Sequence, residues 1–217
     1  MIVLLLVGLV AAAEFGGRWF LADRAEQEIS SRLGAPVTVE FTGTSLVWDL
    51  ITRRDVSSVR LTSPGSDTVP RLDVTGRAVS PVDGGVRVES ADGTATLDAE
   101  QLTAAAARGN PAGDTPVAGL TEVRSVRPDP GAGLLRADIG GIAEIGVAPS
   151  VVDGALVLTP QQTALLGFEL PGGLFSGITG TVDETMAALP EGVSLDAARV
   201  VEGGLEVGLT GTDVLLR

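Results

Sequence analysis

The sequence predicts an α+β fold dominated by β-structure, in which a long, curved antiparallel sheet is partly wrapped around or against a few short helices. Short segments from Pro36 onward alternate apolar and polar residues, which is typical of antiparallel strands with one buried face. Gly and Asp separate these segments, and two helix-capping patterns follow strands. The 217 residues, 44% hydrophobic and 20% charged, suffice for one domain with its own core.

The first thirteen residues form a candidate export segment. Ile2 to Ala13 is an unbroken apolar run, which would give about 18 Å of helix against a bilayer hydrocarbon core of about 30 Å. It is therefore closer to the apolar region of a signal peptide, although no positively charged segment precedes it. We expect a signal peptide or N-terminal membrane anchor over residues 1–13, with the start codon placed too late or an atypical leader. A buried core helix is less favoured because the run has no polar face.

Residues 14–34 predict an amphipathic helix that leads into the domain. Apolar residues recur near the helical period from Phe15 to Leu33, and charged residues occupy the opposite face. Gly34 and Pro36 then supply the signals that end a helix.

Residues 35–217 are predicted to form a single β-rich domain. Four units of the form acid–Gly–x–apolar–x–apolar begin at Asp83, Asp92, Asp153 and Glu202. Asp-Gly provides the positive φ values of a tight hairpin turn, so each unit is predicted to be a turn followed by a strand. Calcium binding is less favoured because no run of closely spaced oxygen ligands accompanies these residues. The clearest alternating segments are 37–41, 56–61, 72–79, 86–88 and 205–209.

Two short helices are predicted from capping patterns. Asp98 stands three residues before Gln101, and Thr159 stands three residues before Gln162 with Pro160 between them. Each pattern follows one of the turn-and-strand units. The sequence therefore predicts that a hairpin, a strand and a short helix occur twice, 61 residues apart.

The residue types that most catalytic and metal sites require are absent from the chain. It contains no Cys, His, Tyr or Lys, so all 15 cationic side chains are Arg, which excludes disulfides, thiolate or imidazole metal ligands and Schiff-base chemistry. The segment Gly173 to Gly177 has the wrong spacing for a nucleophile elbow. We expect no enzyme activity, no cofactor and no metal. A hydrolase that uses two of the 28 acidic residues is a remote alternative.

The net charge also bears on partners. At −13 it argues against a nucleic-acid partner, because nothing resembles the basic surface that a phosphate backbone requires.

One short segment combines large apolar side chains with two cations. As a strand or helix it would be part of the core. Alternatively, Trp favours the membrane interface and Arg offers forked donors that suit phosphate oxygens. On this interpretation the candidate lipid-binding residues are Leu46, Val47, Trp48, Leu50, Ile51, Arg53 and Arg54.

A second segment mixes large apolar residues with flexible glycines. It can be the end of a helix with its connector, or a loop at the mouth of an apolar cavity. The second interpretation adds Leu166, Phe168, Leu170, Leu174 and Phe175 to the candidate lipid-binding residues.

The order of these segments resembles the LmeA family of actinobacterial phospholipid-binding envelope proteins, formerly a domain of unknown function. The composition, rich in Arg, Ala, Val and Gly, is similar to that of high-GC actinobacterial proteins. The resemblance extends over nearly the whole chain through short motifs. These are the helix end at 25–34, the apolar and Arg segment 46–54, and the segments 59–61, 71–74, 153–160, 189–193 and 203–214.

The resemblance implies an exported, non-catalytic protein of the periplasm or cell envelope, cleaved from its leader or anchored at the outer face of the cytoplasmic membrane. It implies binding of phospholipids, including the phosphatidylinositol type, and support of lipoglycan (mannan) synthesis. The implied partners are the membrane surface or membrane-bound glycosyltransferase machinery.

The predicted fold offers a mechanism of binding. A sheet whose apolar face is only partly covered by helices can wrap acyl chains, as tubular lipid-binding domains do, and each buried CH₂ contributes about 0.8 kcal/mol. We therefore expect a lipid-sized cavity lined by Leu, Val and Phe. The alternative is an anchored, non-catalytic envelope scaffold that binds a partner through its sheet edge and has no lipid ligand.

Overall fold

The computed structural model describes residues 30, 35–42, 56–67, 69–82, 85–109, 123–141, 143–161, 164–165, 168–169, 175–188 and 192–216. Strands make up 67% of these residues and form antiparallel sheets. The described part also contains two short helices. The predicted α+β class is therefore confirmed. The leader and most of the helix predicted at 14–34 lie outside the described residues, and Ser30 is helical.

The strands of the described part fall into two larger sheets and a two-stranded hairpin. The orders are β1-β2-β3-β4-β12-β11, β5-β6-β7-β8 and β10-β9. The helices are α1 (Ala99–Gly109) and α2 (Ser176–Ala188). The strands are β1 (Thr38–Thr42), β2 (Val56–Ser63), β3 (Arg71–Val82), β4 (Gly85–Asp98), β5 (Val123–Asp129), β6 (Leu134–Ile139), β7 (Ala143–Val152), β8 (Ala155–Pro160), β9 (Ala164–Leu165), β10 (Phe168–Glu169), β11 (Val193–Val201) and β12 (Gly204–Leu216).

The described residues divide into two compact units. Unit 1 comprises the residues up to Gly93 with 192–193 and 210–216, and unit 2 comprises 94–188 with 194–209. Unit 1 contains β1, β2 and β3, and unit 2 contains both helices and the sheet β5-β6-β7-β8. The strands β4, β11 and β12 each contribute residues to both units. That residues 35–217 form a single domain stays a prediction.

Unit 2 has a closed apolar core between its helices and its four-stranded sheet. Helix α1 packs against β5 and α2, and α2 also contacts β8. The Thr103 hydroxyl ties α1 to the sheet, because it donates to the Ala99 carbonyl at 2.7 Å and accepts the Val126 N–H at 2.9 Å. The largest of these core side chains are at most 2% exposed: Leu102, Val126, Leu135, Ile139, Ile145, Val147 and Ile178.

The N-terminus of α1 confirms the first capping prediction. The Asp98 carboxylate accepts the N–H groups of Glu100 at 3.0 Å and Gln101 at 2.8 Å, and the Asp98 N–H donates to Gln101 Oε1 at 2.9 Å. This reciprocal capping box satisfies N–H groups that a helix start would otherwise leave without acceptors.

The second capping prediction is wrong. Thr159 and Pro160 belong to β8, where Pro160 pairs with Val147, and the Gln161 N–H donates to the Gly146 carbonyl at 2.8 Å. The residues that the local pattern assigned to a helix therefore pair with β7 instead. The predicted repeat of hairpin, strand and helix fails with it.

The turn units have different outcomes. Asp153 and Gly154 have φ values of 52° and 77° and join β7 to β8, as predicted, and Glu202 begins the turn between β11 and β12. The prediction for Asp92 is wrong because Asp92 and Gly93 lie inside β4. A Cβ on Gly93 would come within 2.6 Å of the Asp73 carbonyl oxygen, so the glycine permits a close strand contact instead of a turn. The unit at Asp83 lies outside the described residues.

We predict that Asp98→Ala lowers the free energy of unfolding by about 1 kcal/mol, because the first turn of α1 loses its acceptor. Asp98→Asn keeps an acceptor oxygen and should lose much less. Urea unfolding followed by circular dichroism would measure both variants. Equal losses in the two would show that the charge of Asp98, and not its capping hydrogen bonds, stabilises the helix.

Candidate functional site

Most of the candidate residues named from the sequence lie outside the described part of the chain. These include all seven candidates between Leu46 and Arg54, a segment that follows β1 and precedes β2 in the sequence. Phe168 lies in β10. Phe175 is 7% exposed, and its backbone carbonyl accepts the Ile178 N–H at 3.0 Å at the start of α2. Leu166, Leu170 and Leu174 are outside the described residues as well. A lipid-binding role for these twelve residues stays a prediction.

The first three strands of unit 1 form a sheet with one apolar and one polar face. The register places Val39 opposite Leu61 and Leu61 opposite Val74, and the next row on the same face contains Val59 and Gly76. Because side chains alternate along each strand, the intervening residues point to the other side. We call the first side the apolar face; it comprises Val39, Val59, Leu61, Leu72 and Val74.

The apolar face extends onto β4 through Gly76. A Cβ at Gly76 would stand 3.0 Å from Val88 Cγ1 and 3.8 Å from Val79 Cγ2, so both valines lie over this glycine. Val88 is 7% exposed. Ala78 has φ 50° within β3, a left-handed conformation that a non-glycine residue seldom adopts, and it directly precedes Val79.

Burial is graded along this face. At one end Ser63 and Leu72, which are paired, are 1% and 2% exposed. In the next row Val39 on β1, opposite Leu61, is 6% exposed. Further along, Leu61, Val74 and Val59 are only half-buried. The equivalent inward side chains of unit 2, such as Leu135 and its partner Val147, are 1% exposed. The apolar face of unit 1 is therefore covered at the Ser63 end and at Val39 on β1, and only partly covered at these three residues of β2 and β3.

The opposite face of the same strands is polar and charge-paired. Arg60 Nε donates to Asp73 Oδ1 at 2.9 Å and its Nη2 to Asp73 Oδ2 at 2.5 Å, and Arg77 pairs with Asp92. The other side chains of this polar face are Thr38, Glu40, Ser58, Thr62 and Thr75.

The Arg60–Asp73 pair shifts both pKa values in the direction expected of an ion pair. The hydrogen bond from Arg60 lowers the pKa of Asp73, and the same bond raises the pKa of Arg60, with a smaller contribution from Glu40. The two side chains are 48% and 44% exposed, so solvent screens the attraction and its effect on stability is small.

The half-exposed residues were not singled out from the sequence. Segments 56–61 and 72–79 were predicted as strands with one buried face, and that prediction is confirmed for β2 and β3. Alternation shows which side of a strand is apolar, but not how completely other parts of the chain cover it. Among the residues that the structure describes, no three His, Cys, Asp or Glu side chains are grouped to hold a metal ion. Within the same residues no helix is long and apolar enough to cross a bilayer.

Comparison with known proteins identifies one family. The model of a family described as LmeA-like phospholipid-binding matches residues 12–210, which is nearly the whole chain. Searches among curated proteins and solved structures gave no match.

The ion pair on the polar face gives a prediction about pH. Because the pKa of Asp73 is lowered in the folded state, the pair stabilises the fold above the ordinary aspartate pKa of about 3.9 and is lost as pH falls through the lower folded value. Asp73→Asn should therefore lower the melting temperature by a few degrees at most at pH 7, and the difference from wild type should disappear in acid.

Thermal melts across this pH range would test it, with Arg60→Gln removing the same pair from the other side. The double variant should be no less stable than the weaker single variant. Additive losses would show that the two residues act independently.

Proposed function

The chain belongs to the LmeA-like phospholipid-binding family, which confirms the resemblance found in the sequence, and we propose that it is an exported phospholipid carrier of the cell envelope. The family match over residues 12–210 is the observation that carries the proposal. The two-faced sheet of unit 1 supports it, because that sheet offers a hydrocarbon surface beside a charge-paired one.

The proposed carrier binds lipid mainly through apolar contact. Each CH₂ removed from water contributes about 0.8 kcal/mol, so even a partly enclosed acyl chain provides useful affinity. The net charge of −13 disfavours lasting adsorption to an anionic bilayer. These two properties suit a protein that takes up a lipid and leaves the membrane again better than one that coats it. No catalytic residue is proposed.

The proposal also includes the location of the protein and its role in the cell envelope. The apolar run Ile2 to Ala13 supports export, with the protein either released or anchored at the outer face of the cytoplasmic membrane. We propose ligands of the phosphatidylinositol type and a role in supporting lipoglycan synthesis, with the membrane surface or membrane-bound glycosyltransferases as partners.

Native mass spectrometry of the protein purified separately from the cytosolic and envelope fractions of its host would test the carrier proposal. We expect the protein in the envelope fraction, with an added mass equal to one phospholipid and phosphatidylinositol-type species prominent. A soluble protein of similar size, mixed in at equal concentration, controls for lipid that attaches during spraying. Purely lipid-free protein that also takes up no phospholipid from vesicles would contradict the proposal.

We predict separate roles within the segment from Leu46 to Arg54. Arg53→Ala combined with Arg54→Ala should weaken anionic phospholipid binding at least tenfold more than zwitterionic binding, because hydrogen bonds to a charged group contribute about 1.5–3 kcal/mol each. Trp48→Ala should weaken both lipid classes, since apolar contact does not depend on the headgroup. Vesicle co-sedimentation with each lipid class would measure the affinities.

The matched control for the double variant removes two positive charges elsewhere. Arg124 and Arg127 are exposed on β5, and replacing both by Ala should leave headgroup preference unchanged. Equal weakening of both lipid classes by the Arg53 and Arg54 changes, or loss of folding, would show that these arginines are structural.

A further inference from the structure

We infer that the partly exposed area of the apolar face of unit 1, formed by Val59, Leu61 and Val74, is the surface that holds the acyl chains of the bound phospholipid. The inference rests on the proposed function and assigns it a site. It uses only described residues of β2 and β3, and it is independent of the candidates named from the sequence.

The chemistry of this surface matches a ligand that cannot form hydrogen bonds. Residues 58–62 of β2 are paired with β1 on one side and with β3 on the other. Their backbone donors and acceptors are therefore used within the sheet, and the face presents only the methyl groups of Val59, Leu61 and Val74. An acyl chain lying there leaves no polar group of either partner unsatisfied.

The opposite face of the same strands is unsuited to the tails and to an anionic headgroup. Arg60 directs two N–H groups at Asp73, and Arg77 is paired with Asp92. A hydrocarbon chain on this face would remove these charges from water without compensation. A phosphate would have to compete with carboxylates for the same arginines.

The size of the open area favours an acyl chain over a folded protein partner. Neighbouring strands are about 4.8 Å apart and successive side chains on one face about 6.8 Å apart, so two rows across β2 and β3 measure roughly 5 by 7 Å. A stable protein interface buries about 800 Å² on each partner. The open area is far below that requirement, whereas a narrow, flexible chain can lie along it.

The centre of the unit 2 sheet is more completely covered than this face, whereas Val151 and Leu158, further along β7 and β8, are partly exposed as well. In the sheet of unit 2, Ala137 and Ile145 are paired on the inward face and are both 0% exposed. In unit 1 the inward row at Leu61 and Val74 remains half-buried although the adjacent Leu72 is 2% exposed. The fold thus buries the Ser63 end of the apolar face and Val39, and leaves part of the hydrocarbon of Val59, Leu61 and Val74 exposed.

The natural absence of cysteine makes the test direct, because one introduced cysteine is a unique labelling site. Val59→Cys and Val74→Cys would each carry a small fluorophore, and Ser58→Cys and Thr75→Cys, one residue away on the polar face, are the matched controls. The probe is phosphatidylglycerol with brominated acyl chains in phosphatidylcholine vesicles, and bromine quenches fluorescence at short range. Lipid phosphorus after gel filtration measures the amount bound independently.

We expect the labels at positions 59 and 74 to lose at least half of their fluorescence, and those at 58 and 75 to change little. Bound lipid without this difference overturns the assigned site but leaves the proposed function intact, and it is also the result expected if another segment or protein covers the face. No bound lipid with any variant, or with wild type, overturns the proposed function and the site with it.

Variants without a label test the same site, because an attached fluorophore can itself alter lipid binding. Val59→Thr and Val74→Thr keep the shape of the side chain and replace one methyl group by a hydroxyl, so each should weaken phospholipid binding at least about fourfold, and together about fifteenfold. Thr75→Val makes the reverse exchange on the polar face and should leave affinity unchanged. Unchanged affinity in the double variant, at an unchanged melting temperature, would overturn the assignment.

Discussion

The pairing register of β2 with its two neighbours determines which side chains this sheet offers to a ligand. A slip of one residue would move Val59 and Leu61 to the charged side and bring Arg60 to the apolar side. The buried Ser63 hydroxyl opposes such a slip, because it donates to the Pro36 carbonyl at 2.8 Å and its oxygen also accepts the Gly65 N–H at 3.2 Å. The exposed Arg60–Asp73 pair adds a small contribution between β2 and β3. The pairing register therefore determines the chemistry of the face.

The turn after β2 contributes to the same constraint. Gly65 has φ 78°, and a Cβ there would stand 2.7 Å from the Val69 carbonyl oxygen, so a glycine is needed for the chain to reverse into β3. Unit 1 nevertheless leaves part of its apolar surface uncovered, which gives up about 25 cal/mol of stability for each Å². A ligand that binds only the folded chain restores stability through the binding equilibrium, so an open face and a lipid ligand are energetically consistent.

Local patterns predicted much of the fold and failed where distant strands decided the outcome. The alternation in β2 and β3 and the capping box at Asp98 depend on residues close in sequence, and both were predictable. Pro160 follows a good capping residue, which predicted a helix, but it pairs with β7. Gly93 follows an aspartate, which predicted a turn, but β3 approaches it too closely for a side chain. The candidate site was harder still. Val59 and Val74 have the pattern of ordinary core residues, and only the three-dimensional arrangement shows that they are incompletely buried.

Two regions have been considered for lipid binding, the apolar face of unit 1 and the segment from Leu46 to Arg54. Charge pairing in the described part of unit 1 bears on which of them would bind the headgroup. Arg60, Arg77 and Arg87 each lie beside a carboxylate, of Asp73, Asp92 and Asp213 respectively. An anionic headgroup would therefore need other cations, such as Arg71 at the start of β3, whereas the tails would lie on the proposed hydrocarbon surface. Arg53 and Arg54 stand three and two residues before β2 in the sequence, with Asp55 between them and the strand that carries Val59 and Leu61. Tails on the apolar face and a headgroup at this arginine pair would use both regions without burying an unpaired charge.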